Sequence, residues 1–392
     1  MFSDRVPPLD EPNAYTLALN AALVRGPVAA GAPLLDLASF DPTRAGLSAL
    51  AEAHAMLAAQ PLSAHAPEPL GEPAARAAVA EALRRSAPAL SSDRIVLTAS
   101  TSDSNAQLLR LLCDPGDAVL LPSPSYPLFE PITRAEGVRA IYYRLAYDGA
   151  WHLDRAAFAQ AAAQPGVRAI VTVEPNLPTG SVLGAADRAC LRDTAARYGL
   201  AIIADEVFGS HVWPGHEPLP SWLTETDVLT FVLGGLSKYC GLPQLKLSWI
   251  VVAGPSDPVR AALARLEWLC DLSLSVHSSV QHAAPGLLTL HEPFAARVRQ
   301  RVAVNLATLE RACAARPALQ RLPGVGGWAA VLRVPELESD EALAIAAIER
   351  GVIVHPGQFY DLAPGAHLVV SLITDPLMFA SGVDRLAALF AH

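Results

Sequence analysis

Short apolar runs recur through the middle of the chain, separated by stretches with helical spacing of apolar residues. Seven runs stand out: "RIVLT" (94–98), "AVLLP" (118–122), "RAIYY" (139–143), "RAIVTV" (168–173), "LAIIA" (200–204), "VLTFVL" (228–233) and "LSWIVV" (247–252). They are rich in β-branched residues, have no internal charge and are of strand length, as expected of strands buried on both faces. The intervening "GAADRACLRDTAARYG" (184–199) reads as a helix closed by Gly199. Strands alternating with helices predict an α/β fold: a mostly parallel seven-stranded sheet flanked by helices. In such sheets ligands bind at the carboxyl ends of the strands.

The last third changes character. "EPFAARVRQRVAVNLATLERACAARP" (292–317) reads as one long amphipathic helix. It is followed by strand-like "GWAAVLRV" (327–334), a helix over "DEALAIAAIERG" (340–351), "VIVHPG" (352–357) and "LVVSLIT" (368–374). This α+β pattern predicts a smaller second domain. Residues 1 to about 45 lack the first kind of alternation and are expected to join it, giving a large domain over 46–285 and a small one from 1–45 and 286–392.

Composition narrows the function classes. Of 392 residues, 52% are hydrophobic and 17% charged, enough to bury a large core. The net charge of −9, with Lys and Arg scattered, argues against a nucleic-acid surface. Five cysteines without a C-x-x-C pair suggest neither a zinc ribbon nor a disulfide framework, and the histidines lack metal-ligand spacing. The start, "MFSDRVPPLDEPNAY", is unlike a signal peptide, and no apolar stretch has membrane-spanning length. These features predict a soluble cytoplasmic protein that binds no membrane.

Between Asp227 and Asp257 the only strongly basic side chains are Lys238 and Lys246, and there is no acid. Lys238 therefore sits among small and apolar residues with no local carboxylate to offset its desolvation. The other strand ends supply complementary groups. "RIVLT" leads into Ser100, Thr101 and Ser102 before a helix-like stretch, an anion cradle. "AVLLP" leads to Tyr126, "RAIVTV" to Asn176 between two prolines, and "LAIIA" to Asp205. A phosphate cradle, an aromatic ring, an amide, a carboxylate and an amine are the parts that pyridoxal phosphate (PLP) requires. The amine forms the Schiff base and moves protons, and the carboxylate keeps the pyridine nitrogen protonated.

The chain resembles the fold-type I PLP enzymes, in particular the class I/II aminotransferases, over nearly its whole length. The resemblance rests on "EPNLPTG", "ADEVF", "LSKYCGLPQLK" and "VIVHPGQFY", in that order. It implies that Lys238 is the Schiff-base lysine, Asp205 the partner of the pyridine nitrogen, Asn176 the ring-oxygen ligand and Tyr126 the stacking ring. Ser100, Thr101, Ser102 and Ser237 become phosphate contacts. It also implies amino acid and 2-oxo acid substrates, and a homodimer with shared active sites.

Four positions depart from the family pattern. Phe208 replaces a tyrosine that bonds the ring oxygen, and Lys246 replaces a phosphate-binding arginine. His65 stands in the place of a tyrosine that reaches the neighbouring subunit's phosphate. Val369 replaces the arginine that clamps the substrate's α-carboxylate, a loss no apolar side chain makes good. Arg44, in "DPTRAGL", is the expected substitute cation. Phe208, Tyr360 and Val369 together suggest a less polar pocket.

Transamination is the first functional reading. A PLP-dependent lyase, decarboxylase or cyclase on the same scaffold is the alternative, since fold does not fix reaction. A non-catalytic PLP-binding regulator is the remote one, because family-like sequence already begins near Leu34.

Overall fold

The structure is a computed structural model that describes residues 2–8, 11–25, 33–60, 66–362 and 364–390. Its strands run in chain order as β1 (Leu35–Asp36), β2 (Ile95–Thr98), β3 (Ala118–Ser123), β4 (Arg139–Tyr147), β5 (Trp151–Leu153), β6 (Val167–Val173) and β7 (Ala201–Asp205). They continue as β8 (Thr230–Gly235), β9 (Ser248–Ala253), β10 (Gln320–Arg321), β11 (Ala329–Val334), β12 (Val352–Ile353), β13 (His355–Pro356) and β14 (Ala366–Ser371).

The seven predicted strands form one sheet with an eighth, in the order β2-β9-β8-β7-β6-β3-β4-β5. The pairs β8/β7, β7/β6, β6/β3 and β3/β4 are parallel, whereas β9 runs antiparallel to both its neighbours. The additional strand, β5, pairs antiparallel with β4 through Leu145↔Leu153. Three residues at a sheet edge are too few to show a period in the sequence, which is why seven were expected and eight are found.

The side-chain period of two explains the continuous apolar runs. In β7, Ile202 and Ala204 enter one core cluster while Ala201 and Ile203 enter another across the sheet. Ile95 and Leu97 of β2 likewise face the first, and Val96 the second. Helices cover both faces. The helix Ala185–Tyr198 ends at Gly199, whose φ of 64° is the left-handed cap expected from the sequence.

A third cluster surrounds the four-stranded sheet β10-β11-β14-β13 and the long helix His291–Ala315. The early chain joins it. β1 pairs in parallel with β12 through Leu35↔Val352, and Tyr15, Leu35, Leu37 and Leu47 all pack into this cluster. Leu177, Phe208 and Trp213, from the ends of the large sheet, enter the same cluster. The carboxyl ends of β6, β7 and β8 thus lie where the two parts meet.

Candidate active site

Asp205 is the last residue of β7 and is buried. Lys238 follows the neighbouring strand β8 on the single helical turn Leu236–Tyr239. The register Asp205↔Leu233 puts the two strand ends side by side. Burial pulls the Lys238 ammonium below its ordinary pKa, against the opposing charges of Asp205 and Asp41. Burial pushes the Asp205 carboxyl up to about 6, although the Val207 N–H and the Lys238 charge both act to lower it. No contact ion pair forms between them. Asp205 Oδ1 accepts from the Val207 N–H at 3.1 Å, and two such strand-end groups not in contact with each other suit a ligand offering a cation to one and an electrophile to the other.

Aromatic rings wall the amine. Lys238 Nζ lies 5.4 Å from the Trp328 ring centre and 6.0 Å from that of Phe208. Below them His211 Nε2–H donates to the Lys238 carbonyl oxygen at 2.7 Å, the direction required because a carbonyl only accepts. Burial drives the His211 pKa down to about 3, so the ring stays neutral and fixes the backbone turn.

The small residues before the lysine serve the neighbouring strand. A Cβ on Gly234 would strike the Trp249 ring, and one on Gly235 would strike Ser248. These glycines make room for side chains of β9 rather than for a cofactor.

The anion cradle is formed by the helix Thr101–Leu112. Ser100 Oγ accepts from the Asp103 N–H at 3.0 Å, and Asp103 Oδ2 accepts from the Ala99 N–H at 3.0 Å. This reciprocal cap does not use the first-turn N–H groups of Thr101 and Ser102, which suits them to an anion. Ser237 is half-buried next to Lys238.

Tyr126 stands in the turn after β3, 37% exposed, with its ring edge-on to Phe129 at 6.0 Å. Burial, and then the charge of Asp205, raise its hydroxyl pKa. Asn176 is buried, and its carboxamide is bound into the loop: Nδ2 donates to Pro124 O at 3.1 Å, and Oδ1 accepts from Thr179 Oγ1 at 2.9 Å. Ser125 N–H in turn donates to Tyr360 O at 3.1 Å. Asn176 thus ties down the loop that presents Tyr126, with one amide hydrogen still to spare.

The departures from the family pattern fall less centrally. Lys246 is exposed, in a left-handed conformation with φ 54°. The Arg44 side chain is 79% exposed, with Asp41 at 3.7 Å, so it stands at the rim. His65 lies outside the described residues. Val369 is fully buried in β14. Sequence reasoning passed over His211 and Trp328, which contact Lys238, and Asp41, whose charge acts on it; the three come from distant segments and carry no local motif. A separate cavity of about 960 Å³ opens beside the site, lined by Glu174, Glu206, Trp249 and His291, but by neither Lys238 nor Asp205.

The family model for aminotransferase class I and II matches residues 32–376. The chain belongs to this family. Among curated members, it is 29% identical over 225 residues to nicotianamine aminotransferase 1 of Oryza sativa subsp. japonica, covering 57% of this chain and 45% of that one. It is 24% identical over 305 residues to the alanine aminotransferase of Mycobacterium tuberculosis, covering 75% and 70%. The first two curated relatives are matched over only about half their length, 45% and 53%. The fold extends further. Tyrosine aminotransferase from Leishmania infantum superposes with a TM-score of 0.82 at 19% identity, covering 98% of this chain and 99% of that one. A mutant aspartate aminotransferase from Thermus thermophilus gives 0.82 at 21%, covering 99% of both. These likenesses establish the fold-type I architecture.

The family's PLP fits the residues present. An amine of depressed pKa, a carboxylate without a contact cation, a tyrosine ring and an open helix start follow the carboxyl ends of β8, β7, β3 and β2, at one end of the large sheet. The buried Ser125 Oγ, in the same turn as Tyr126, has no hydrogen-bond partner.

Proposed function

We propose that the protein is a PLP-dependent aminotransferase that moves an amino group from an amino acid to a 2-oxo acid. The observation that carries this reading is the pairing of Lys238 with Asp205 at the ends of adjacent parallel strands, each shifted by burial towards its neutral form. When bound, PLP supplies an electron-withdrawing ring that stabilises negative charge on the substrate α-carbon. Asp205 would pair with the protonated ring nitrogen and keep it charged. Tyr126 would stack on the ring, and Ser100, Thr101, Ser102, Ser237 and Lys246 would hold the phosphate, with His65 assigned to the partner's phosphate. Asn176 contributes its remaining amide hydrogen. The Lys238 amine, neutral in part through burial, takes and returns the proton that moves during transfer. Its aromatic walls, Trp328 and Phe208, exclude water from that proton.

Arg44 belongs at the mouth as a steering cation for carboxylates. The large domain spans 46–285, and the small domain comprises 1–45 and 286–392. The protein works as a cytoplasmic homodimer. No described helix is long and apolar enough to cross a membrane. A second reading, lyase, decarboxylase or cyclase chemistry on the same lysine, is favoured by one observation: the buried valine at 369.

Absorbance of the PLP-loaded protein, titrated with amino acids and simple amines, separates the two readings. Conversion to the pyridoxamine form, reversed by a 2-oxo acid, is expected. Ammonia or carbon dioxide released without amine transfer supports the second reading.

A further inference from the structure

Val369 removes the expected cation from the substrate's carboxylate, and the structure places a different group at its side. β13 pairs antiparallel with β14 in the register His355↔Val369. Directly opposed residues of an antiparallel pair project from the same face with neighbouring Cβ atoms. His355 therefore projects beside the position where a guanidinium would start.

Its surroundings connect it to the reacting groups on two sides. Its ring lies 6.1 Å from Phe40, the neighbour of Asp41, and the charge of Asp41 acts on Lys238. Its Nδ1 lies 2.8 Å from Tyr360 Oη. The Tyr360 carbonyl oxygen accepts from the Ser125 N–H at 3.1 Å, in the turn that carries Tyr126. Phe359 is 5.9 Å away. The imidazole is half-buried, and its Nε2 has no hydrogen-bond partner among the described residues.

We propose that His355, oriented by Tyr360, receives the carboxylate of amino acid and 2-oxo acid substrates, and that the imidazole takes a proton from solvent as the carboxylate binds. This rests on the aminotransferase reading and adds its means of carboxylate recognition. In the neutral ring, Nε2–H faces the ligand and Nδ1 accepts the Tyr360 hydroxyl proton. In the protonated ring, Nδ1–H donates to Tyr360 Oη. A tyrosine hydroxyl serves both states, so protonation breaks no contact.

The titratable groups facing His355 set the starting point. Burial holds its pKa below the ordinary value, and the charge of Asp36 opposes this. Asp36 is itself engaged by the Ala38 and Ser39 N–H groups. Tyr15, edge-on to Phe359 at 5.2 Å, stays neutral, as does Tyr360. Asp340 accepts from the His367 N–H behind Gly357 and so belongs to a separate cluster. The free imidazole is thus neutral at pH 7.5, and an arriving carboxylate is the charge that protonates it.

The test is calorimetric titration of the PLP-loaded protein with 3-phenylpropionate, which cannot react, in buffers of different ionisation enthalpy. The expected result is uptake of nearly one proton per ligand at pH 7.5. Affinity should fall about tenfold per pH unit above the free-imidazole pKa. H355F should lose the uptake and bind roughly ten- to hundredfold more weakly. H355Q, which keeps a donor but cannot titrate, should bind with no pH slope. R44A should keep the proton uptake. Unchanged proton uptake in H355F or H355Q, or failure of the probe to bind wild type, overturns the proposal. Absence of the lysine-bound PLP absorbance would instead overturn the aminotransferase reading.

Discussion

At the scale of single residues, Lys238 and Asp205 were legible because each stands at the end of a clear apolar run and no opposite charge lies nearby in sequence. His211, Trp328 and Asp41 were not legible. Each acts on Lys238 across a contact between segments far apart in the chain. Gly234 and Gly235 show the opposite failure: the sequence shows small residues but not what fills the space, which is Trp249 and Ser248. Asn176 is expected from the sequence to bond the ring oxygen, and most of its amide is spent on Pro124 and Thr179. Asp205→Asn keeps the shape and removes the charge. It should weaken PLP binding by roughly ten- to hundredfold, the value of a buried charge-assisted contact, measured by equilibrium dialysis.

At the scale of elements, the loop after β6 is anchored by a buried polar cluster. Arg188 Nη1 donates to Glu174 Oε2 at 2.8 Å, with side chains 9% and 2% exposed. Trp222 Nε1 donates to Glu174 Oε1 at 2.7 Å, and the Arg188 guanidinium lies 4.1 Å over the Trp222 ring. The carboxylate of Glu174 thus fixes the start of "EPNLPTG" to the helix Ala185–Tyr198 and to Trp222. Arg188→Met leaves that carboxylate buried with no cation. It should cost about 3–5 kcal/mol, read as a lower denaturant midpoint. The sequence disclosed the strand and helix but not this anchor, because its three members lie 14 to 48 residues apart. β5 escaped for a related reason, being defined by its pairing with β4 rather than by any pattern of its own.

At the scale of the whole molecule, the division into a large parallel sheet and a smaller α+β part was plain from the change of period along the chain. The joining of residues 35–47 to the C-terminal third rests on the β1/β12 pair and shared packing. Two acids, the buried Asp205 and the half-buried Glu206, couple this assembly to pH. Burial raises Asp205 to about 6 and Glu206 to about 7. Between pH 4.5 and 7 these two acids hold protons in the folded chain that they release in the unfolded one, so their contribution to stability falls as pH rises through that window. His211, held neutral with a pKa of about 3, and His291, His355 and His367, also held low, act in the opposite direction. The melting temperature of the cofactor-free wild type, taken relative to Glu206→Gln, should therefore fall between pH 5 and 7.5. A difference that rises over the same interval would contradict the Glu206 shift.

The central claim is that PLP is carried on Lys238 between Asp205 and the open helix start at Thr101. Reduction of the PLP-loaded protein with borohydride, followed by peptide mass mapping, tests it most directly. A single pyridoxyl group on Lys238 is expected, and none in Lys238→Ala. A pyridoxyl group on Lys246, or on no lysine, would contradict it.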